Sequence, residues 1–308
     1  MKRQIAVIAG PTAVGKTKFA IAAAKALDGE IVSCDSMQLY KHMDIGSAKP
    51  TSEELNEAVH HLVDVIDPSL PFSAAMYQKM AKAAIEDIFA RNRLPIISGG
   101  TGLYLNTILY DMDFSGAEQN TDLRRSLEED AKSLGCEALH QRLACIDPQA
   151  AQRIHPHNVK RVIRALEGAL SGHNIRDFRK CISKCKDYDT NLIILSRNRD
   201  ELYDRINKRV DMLVEEGLFE EVSKLMSMGL TENDISMKGI GYKEIIGYFH
   251  GNYDRNEAID LIKKNTRHFA KRQITWFKRY DEAKWLNISE YAGDDKAAEV
   301  MITWLRNR

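Results

Sequence analysis

The chain has 308 residues, 44% apolar and 29% charged, and its 44 basic and 44 acidic side chains cancel to a net charge of zero. This is the composition of a soluble globular protein, with room for two domains or for one domain carrying a large insertion. No apolar run approaches the ~20 residues of a membrane span, and the first one breaks at Gly10-Pro11, so it reads as a core strand and not as a signal peptide. The five cysteines (Cys34, Cys136, Cys145, Cys181, Cys185) are odd in number and scattered, which fits a reduced, cytoplasmic setting. Cys181 and Cys185 lie four apart with no second Cys or His pair nearby, which argues against zinc.

Ile5, Val7 and Ile8 predict a short buried strand. It runs into G-x-x-x-x-G-K-T, with Gly10, Gly15, Lys16 and Thr17 in the fixed positions, and then into the helix former K-F-A-I-A-A-A-K-A-L (18–27). Strand, glycine loop, helix is the setting of a P-loop, and by motif alone it reads as a nucleotide (ATP) site. Converging backbone N–H groups, the helix N-terminus and the Lys16 charge favour a di- or triphosphate, and the Thr17 hydroxyl suits Mg²⁺. A second strand, Ile31–Cys34, ends at Asp35-Ser36, on the edge where ligands sit in parallel α/β sheets. Asp35 is either a ligand-facing acid or a helix cap or turn residue.

Ser52 is expected to cap a helix over 52–62, on which the adjacent His60 and His61 point apart and form no metal pair. Residues 61–68 read as a short strand or extended segment, 73–92 as an amphipathic helix begun by Ser73, and 94–105 as strand, glycine turn and helix with Thr101 on the turn. A P-loop hydrolase needs an apolar strand ending in Asp for its metal. Here Leu94–Ile97 ends in Ser-Gly-Gly-Thr, so the acid at Asp35 has another task, such as general base. Between Asp113 and about Asp189 the pattern is helical only (121–135, 136–148, 147–154, 157–172), which predicts an all-α insertion over 114–189 in a core formed by 1–113 and 190–308. A strand follows at 189–196, and the C-terminal part is mainly helical. Arg205 and Arg209, four apart on 199–218, suit either a phosphate clamp or acid pairing.

Charge is unevenly spread. Arg153–Lys186 carries nine Lys/Arg against two acids, and Lys263–Arg279 carries seven and no acid. Two such segments in a neutral chain read as a footprint for a polyanion. In 263–280 basic residues interleave with Phe269, Trp276, Phe277 and Tyr280, which suits splayed nucleic-acid bases, although their helical spacing puts some of these rings in the core.

Seven blocks together carry a resemblance: G-P-T-A-V-G-K-T (10–17), D-S-M-Q-L-Y (35–40), M-D-I-G-S-A-K-P (43–50), H-H-L-V-D (60–64), G-G-T-G-L-Y (99–104), R-I-H-P (153–156) with R-A-L-E (164–167), and K-R-Q-I-T-W-F (271–277). In kind and order they resemble the bacterial tRNA dimethylallyltransferases, the tRNA isopentenyltransferase family, from about residue 4 to residue 280. The resemblance implies a P-loop α/β core flanked by helices. It also implies transfer of a dimethylallyl group from dimethylallyl diphosphate to the exocyclic amine of the adenosine 3′ to a tRNA anticodon, with Mg²⁺. The loop Gly10, Pro11, Thr12, Ala13, Val14, Gly15, Lys16 and Thr17 would then hold a diphosphate leaving group and no ATP. Asp35 resembles the general base, Thr101 a residue at the reacting centre, and Arg209, in R-I-x-x-R, a stabiliser of the departing diphosphate. Ser36, Met37 and Gln38 resemble the adenosine-recognition loop. Arg124, the Lys160–Arg161–Arg164 stretch, Lys238 with Tyr242 and Lys243, and Lys271, Arg272, Gln273, Trp276 and Lys278 match tRNA-contacting stretches. Lys238-Gly239 departs mildly from the family before I-G-Y. A monomer without a membrane partner is expected. The competing readings are a P-loop nucleotide kinase, an adenylate isopentenyltransferase and a non-catalytic RNA-binding protein. The basic-aromatic segment speaks against the second, and intact Lys16, Thr17 and Asp35 against the third.

Overall fold

Ile5 to Ala9 are buried without alternation, as a strand covered on both faces requires. They form β1 (Arg3–Ala9) within a parallel sheet. In the computed structural model the described residues are 3–112, 114, 121–170 and 183–307. The chain continues through α1 (Lys16–Leu27), β2 (Gly29–Ser33), α2 (Ser52–Glu57), β3 (His60–His61), α3 (Ala74–Ala90), β4 (Leu94–Gly99) and α4 (Gly102–Leu109). Next come α5 (Thr121–Leu134), α6 (Cys136–Ile146), α7 (Pro148–Arg153) and α8 (Val159–Leu170). The rest is β5 (Tyr188–Ser196), α9 (Arg199–Glu215), α10 (Leu218–Ser227), α11 (Tyr242–Phe249), α12 (Arg255–Phe277), β6 (Lys284–Asn287) and α13 (Asp294–Arg306). Two compact units result, Met1–Tyr110 with Cys185–Arg308, and Asp111–Lys184. The expected insertion boundary at Asp113 lies outside the described residues, as does Cys181. Cys185 is a buried free thiol.

Among the described residues the sheet has six strands in the order β3-β2-β4-β1-β5-β6, all parallel. Every carboxyl end therefore lies on one edge. The chain leaves β1 for β2, beyond β4, on one side, and returns to β5 on the other, so β1 stands at the topological switch point. One face of the sheet packs on Tyr77, Ile85 and Ile88 of α3 and on Tyr104 and Ile108 of α4. The other packs on Phe19, Ala20 and Ala23 of α1 and on Ala297 and Met301 of α13. The helical unit has its own core, with Leu127, Leu139, Leu143, Val162 and Leu166.

Three expectations need correcting. The cap of α2 is Thr51, not Ser52: its side chain accepts from Glu54 N while Glu54 returns to Thr51 N, a reciprocal box that the sequence T-x-x-E encodes. That helix stops at Glu57, and His60 and His61 are strand residues paired with Ile31 and Val32. The C-terminal part is mainly helical, as expected, and also holds the short strand β6, which extends the sheet beside β5. Tyr242, expected to contact tRNA, is fully buried and donates to Glu221 Oε1 at 2.8 Å. Ser73 caps α3 as its sequence predicts.

Glu221 explains the M-D-I-G-S-A-K-P block. Its carboxylate, 8% exposed, accepts from the backbone N–H groups of Asp44, Ile45 and Gly46 at 2.7, 2.7 and 2.9 Å. Lys49 Nζ closes the same loop by pairing with Asp44 at 2.5 Å and with Asp64. Replacing Glu221 by Ala would leave several donors without an acceptor, at a cost of about 3 kcal/mol or more. Urea unfolding should show the loss as a lower midpoint, and an unchanged midpoint would contradict this account of the loop.

Candidate active site

The site is assembled from the turns that leave the carboxyl ends of β2, β4 and β1, with α9 and α12 packed beside them. In the loop after β1, Ala13 (φ 61°) and Gly15 (φ 108°) take left-handed conformations. Such a reversal turns successive N–H groups inward as an anion nest and leaves carbonyls facing out. The carbonyls are met by cations. Lys16 Nζ donates to Pro11 O at 2.9 Å, Arg205 Nε to Ala13 O at 2.9 Å and Arg197 Nε to Val14 O at 3.0 Å. Arg197 is itself fixed by Glu201 and Asp294.

Asp35 follows β2 and is half-buried. Its Oδ1 accepts from Met37 N at 2.9 Å, which orients the carboxylate. Thr101, after β4, accepts from Ser36 N at 3.0 Å and donates to Ser36 Oγ at 3.3 Å. This approach depends on Gly99, since a Cβ there would lie 2.1 Å from Cys34 O. Burial pushes the neighbouring Cys34 thiol up to about 12, so it stays neutral.

The electrostatics favour an anion. Burial lowers the Lys16 ammonium to about 8, against the pull of Asp35 and with the push of Arg209. Burial also lowers the Arg209 guanidinium, with Asp35 the largest opposing influence. Among the described residues the Arg209 side chain has no hydrogen-bond partner. Arg205 is lowered by burial too, and by Arg197. Cations held at this energetic disadvantage gain from a ligand that brings negative charge.

The residues read as RNA-facing divide into two sets. Lys160, Arg161 and Arg164 lie on the exposed face of α8, opposite buried Val162, Ile163 and Leu166. Lys271 and Arg272 are exposed on α12, Lys278 just after it, and Lys243 on α11; exposed Lys238 donates to Asn233 O. Others are engaged within the fold. Gln273 is buried, accepting from Thr12 N and donating to Gly100 O, both at 2.9 Å. The Trp276 indole lies against Gly102 and donates to Tyr280 OH. Met37 packs on Gly239, and Gln38 bonds Ser33 Oγ and Ala48 O. Arg124 donates to Glu167 at 2.5 Å. The basic run 263–279 is also thinner than its count, because Lys263 pairs with Asp211 and Arg267 donates to Asn207. The sequence gives no sign of Arg197 as a brace of the P-loop, beyond its place just after β5, which marks it as a strand-end residue.

Among the described residues one group offers three metal-ligand types, Cys136, Glu137 and His157, in the helical unit. No helix searched among those residues is long and apolar enough to cross a membrane.

The Lys16 shift fixes a pH dependence. With its ammonium lowered from 10.5 to about 8, the unliganded site carries this charge below that pH and loses it as pH rises. The advantage of the wild type over Lys16→Gln in binding Mg²⁺-pyrophosphate should therefore shrink as pH rises through about 8. Calorimetry across that range would measure it, and a constant ratio would contradict the assignment.

The IPP transferase family model matches residues 38–280. A tRNA dimethylallyltransferase of Alkaliphilus oremlandii is 49% identical over 303 residues, 98% of this chain and 97% of its own. The full-length tRNA isopentenylpyrophosphate transferase of Bacillus halodurans is similar in structure, with a TM-score of 0.75 and 43% identity over 99% of this chain and 96% of its own. A eukaryotic dimethylallyltransferase described as acting on tRNA has a TM-score of 0.82 and 26% identity over 99% of this chain and 80% of its own. With the family model spanning most of its length and relatives of this identity spanning nearly all of it, the chain belongs to the IPP transferase family.

Proposed function

We propose that this chain transfers the dimethylallyl group of dimethylallyl diphosphate to the exocyclic amine of the adenosine next to the anticodon, on its 3′ side, in tRNA, releasing diphosphate. The observation that carries the reading is the half-buried Asp35 carboxylate sharing one electrostatic field with Lys16 and Arg209. An acid beside two cations at a phosphate-binding loop suits a reaction in which a proton leaves one partner as negative charge develops on the other. A new C–N bond forms at the allylic carbon, the C–O bond to diphosphate breaks, and the amine proton passes to Asp35. An aryl amine is a poor nucleophile and needs that base within hydrogen-bond reach. The developing charge on the leaving group is met by the N–H groups of the P-loop, Lys16 and Arg209, preorganised before reaction.

Thr17, at the start of α1, supplies a hard oxygen donor of the kind Mg²⁺ takes and would hold the ion. Bound there, Mg²⁺ would neutralise part of the diphosphate charge. The exposed basic residues of α8, α11 and α12 would take the RNA phosphates, and the target base must leave its stack, which costs a few kcal/mol. A monomer working in the cytoplasm completes the proposal.

Mass spectrometry of an anticodon stem-loop RNA incubated with the protein, dimethylallyl diphosphate and Mg²⁺ should show one added dimethylallyl group. Modification of free AMP instead would shift the assignment to a nucleotide acceptor, and ATP turnover without an isoprenoid would shift it to a kinase. Asp35→Asn keeps an acceptor for Met37 N but removes the base. Its turnover should fall about 10²–10⁴-fold with RNA affinity nearly unchanged, and near-normal turnover would sink the role. Replacing Lys271 and Arg272 by Gln should weaken RNA binding and lower the slope of log K against log salt by about 0.7–0.9 for each phosphate no longer neutralised. An unchanged slope would remove α12 from the RNA surface.

A further inference from the structure

We infer that Gln273 is a positioning residue that sets the distance between the leaving-group loop and the acceptor-side turn. It stands among the exposed basic residues of α12, but its side chain points the other way and is 6% exposed. One amide makes both bonds: Oε1 accepts from Thr12 N in the P-loop, and Nε2 donates to Gly100 O in the turn after β4, each at 2.9 Å. That turn carries Thr101, which accepts from Ser36 N beside Asp35. The chain of bonds therefore runs from the diphosphate loop through Gln273 to the residues around the base. A carboxamide offers an acceptor and a donor at this spacing at any pH, whereas a glutamate, of the same length, offers both only when protonated.

Group transfer is sensitive to such a spacing, because a displacement of about 1 Å between reacting partners can cost ~10²-fold in rate. Gln273 also directs the P-loop itself. With the Thr12 N–H committed to the amide, the anion must be met by the N–H groups further along, at the start of α1. Lys271 and Arg272 precede Gln273 on the same helix and are exposed, so the helix that offers charge to solvent is also the one that holds the two turns.

The inference rests on reading Gly10–Thr17 as a diphosphate cradle, and two readouts keep the two claims apart. Binding of Mg²⁺-pyrophosphate reports the cradle without any acceptor, and dimethylallyl transfer reports the whole site. Gln273→Ala should weaken pyrophosphate binding about tenfold, the equivalent of one lost hydrogen bond, and reduce turnover further. Gln273→Glu separates positioning from packing, since it keeps the shape of the side chain. Ionised, it can accept from Thr12 N but repels Gly100 O; protonated, it restores both bonds through its O–H. Pyrophosphate affinity and turnover of Gln273→Glu relative to wild type should therefore recover as pH falls from about 8 to about 6, with the Gln273→Ala ratio flat. Parallel, flat ratios for both variants, or a folded Gln273→Ala protein with wild-type pyrophosphate affinity, would overturn the inference. Recovery of pyrophosphate binding in a protein that transfers no dimethylallyl group would uphold Gln273 and refute the proposed reaction.

Discussion

A loop that turns its N–H groups inward to meet an anion must send its carbonyls outward, and half-buried carbonyls need donors. The site depends on how this chain answers that requirement. Pro11, Ala13 and Val14 each give their carbonyl to a cation, from Lys16, Arg205 and Arg197 respectively. Two of the three arrive from the segment after β5, more than 180 residues away in sequence. The left-handed Ala13 costs on the order of 1–2 kcal/mol in backbone strain, and the Arg205 bond to that same residue helps hold it. Arg197 is in turn held by Asp294 of α13 and Glu201 of α9. The cradle is thus fixed by the whole core unit, and little reorganisation is left for the moment of reaction.

Two of the cations that brace the loop, Lys16 and Arg205, also charge it, together with Arg209. Burial lowers all three, and Asp35 opposes that lowering at Lys16 and Arg209. A chain with no net charge can therefore gather positive charge at one sheet edge, because what an anion meets is the local field. Helix α12 divides its labour by face. Ala270, Gln273 and Phe277 are buried, and Lys271 and Arg272, with Lys278 just after the helix, are exposed. Residues three and four apart share a face and adjacent ones do not, so a run that looks uniformly basic in sequence holds a core face and a solvent face.

This explains what could be read from the sequence. The P-loop is legible because its residues act through backbone geometry local to one turn. Asp35 and Thr101 are legible as strand-end residues, because a parallel sheet gathers such ends on one edge. The helical character of 121–170 follows from its periodicity. Direction is not legible. Tyr242, Gln273 and Trp276 lie in segments of the right charge, yet their side chains turn into the fold because Glu221, Thr12, Gly100 and Tyr280 wait there with matching polar groups. The partners of Gln273 are up to 261 residues distant in sequence, and no local pattern announces them, whereas Trp276 and Tyr280 are four apart on a spacing that already marks a core face. Strand β6 escapes notice for a related reason: four residues at a sheet edge carry too little periodicity to stand out beside long helices. The Thr51 cap lies one position from the expected one, although the glutamate three residues on marks it.

The place of the acid also follows from packing. A hydrolase of this loop class needs a carboxylate at the end of an apolar strand beside the P-loop, to hold its metal. The strand in that position is β4, and it ends in Gly99. A Cβ at Gly99 would lie 2.1 Å from Cys34 O and 2.7 Å from Cys34 Cα, so no aspartate fits there unless β2 and β4 part at their ends. Parting them would break the bond from Cys34 N to Ser98 O, at 2.7 Å, and the bond from Thr101 N to Cys34 O, at 3.1 Å. The approach of β4 to β2 that brings Thr101 against Ser36 therefore leaves no room for an aspartate at Gly99. The acid stands instead one strand further out, at Asp35 after β2, where the proposed reaction would have it take the proton of the nucleophile while the phosphate loop holds the leaving group.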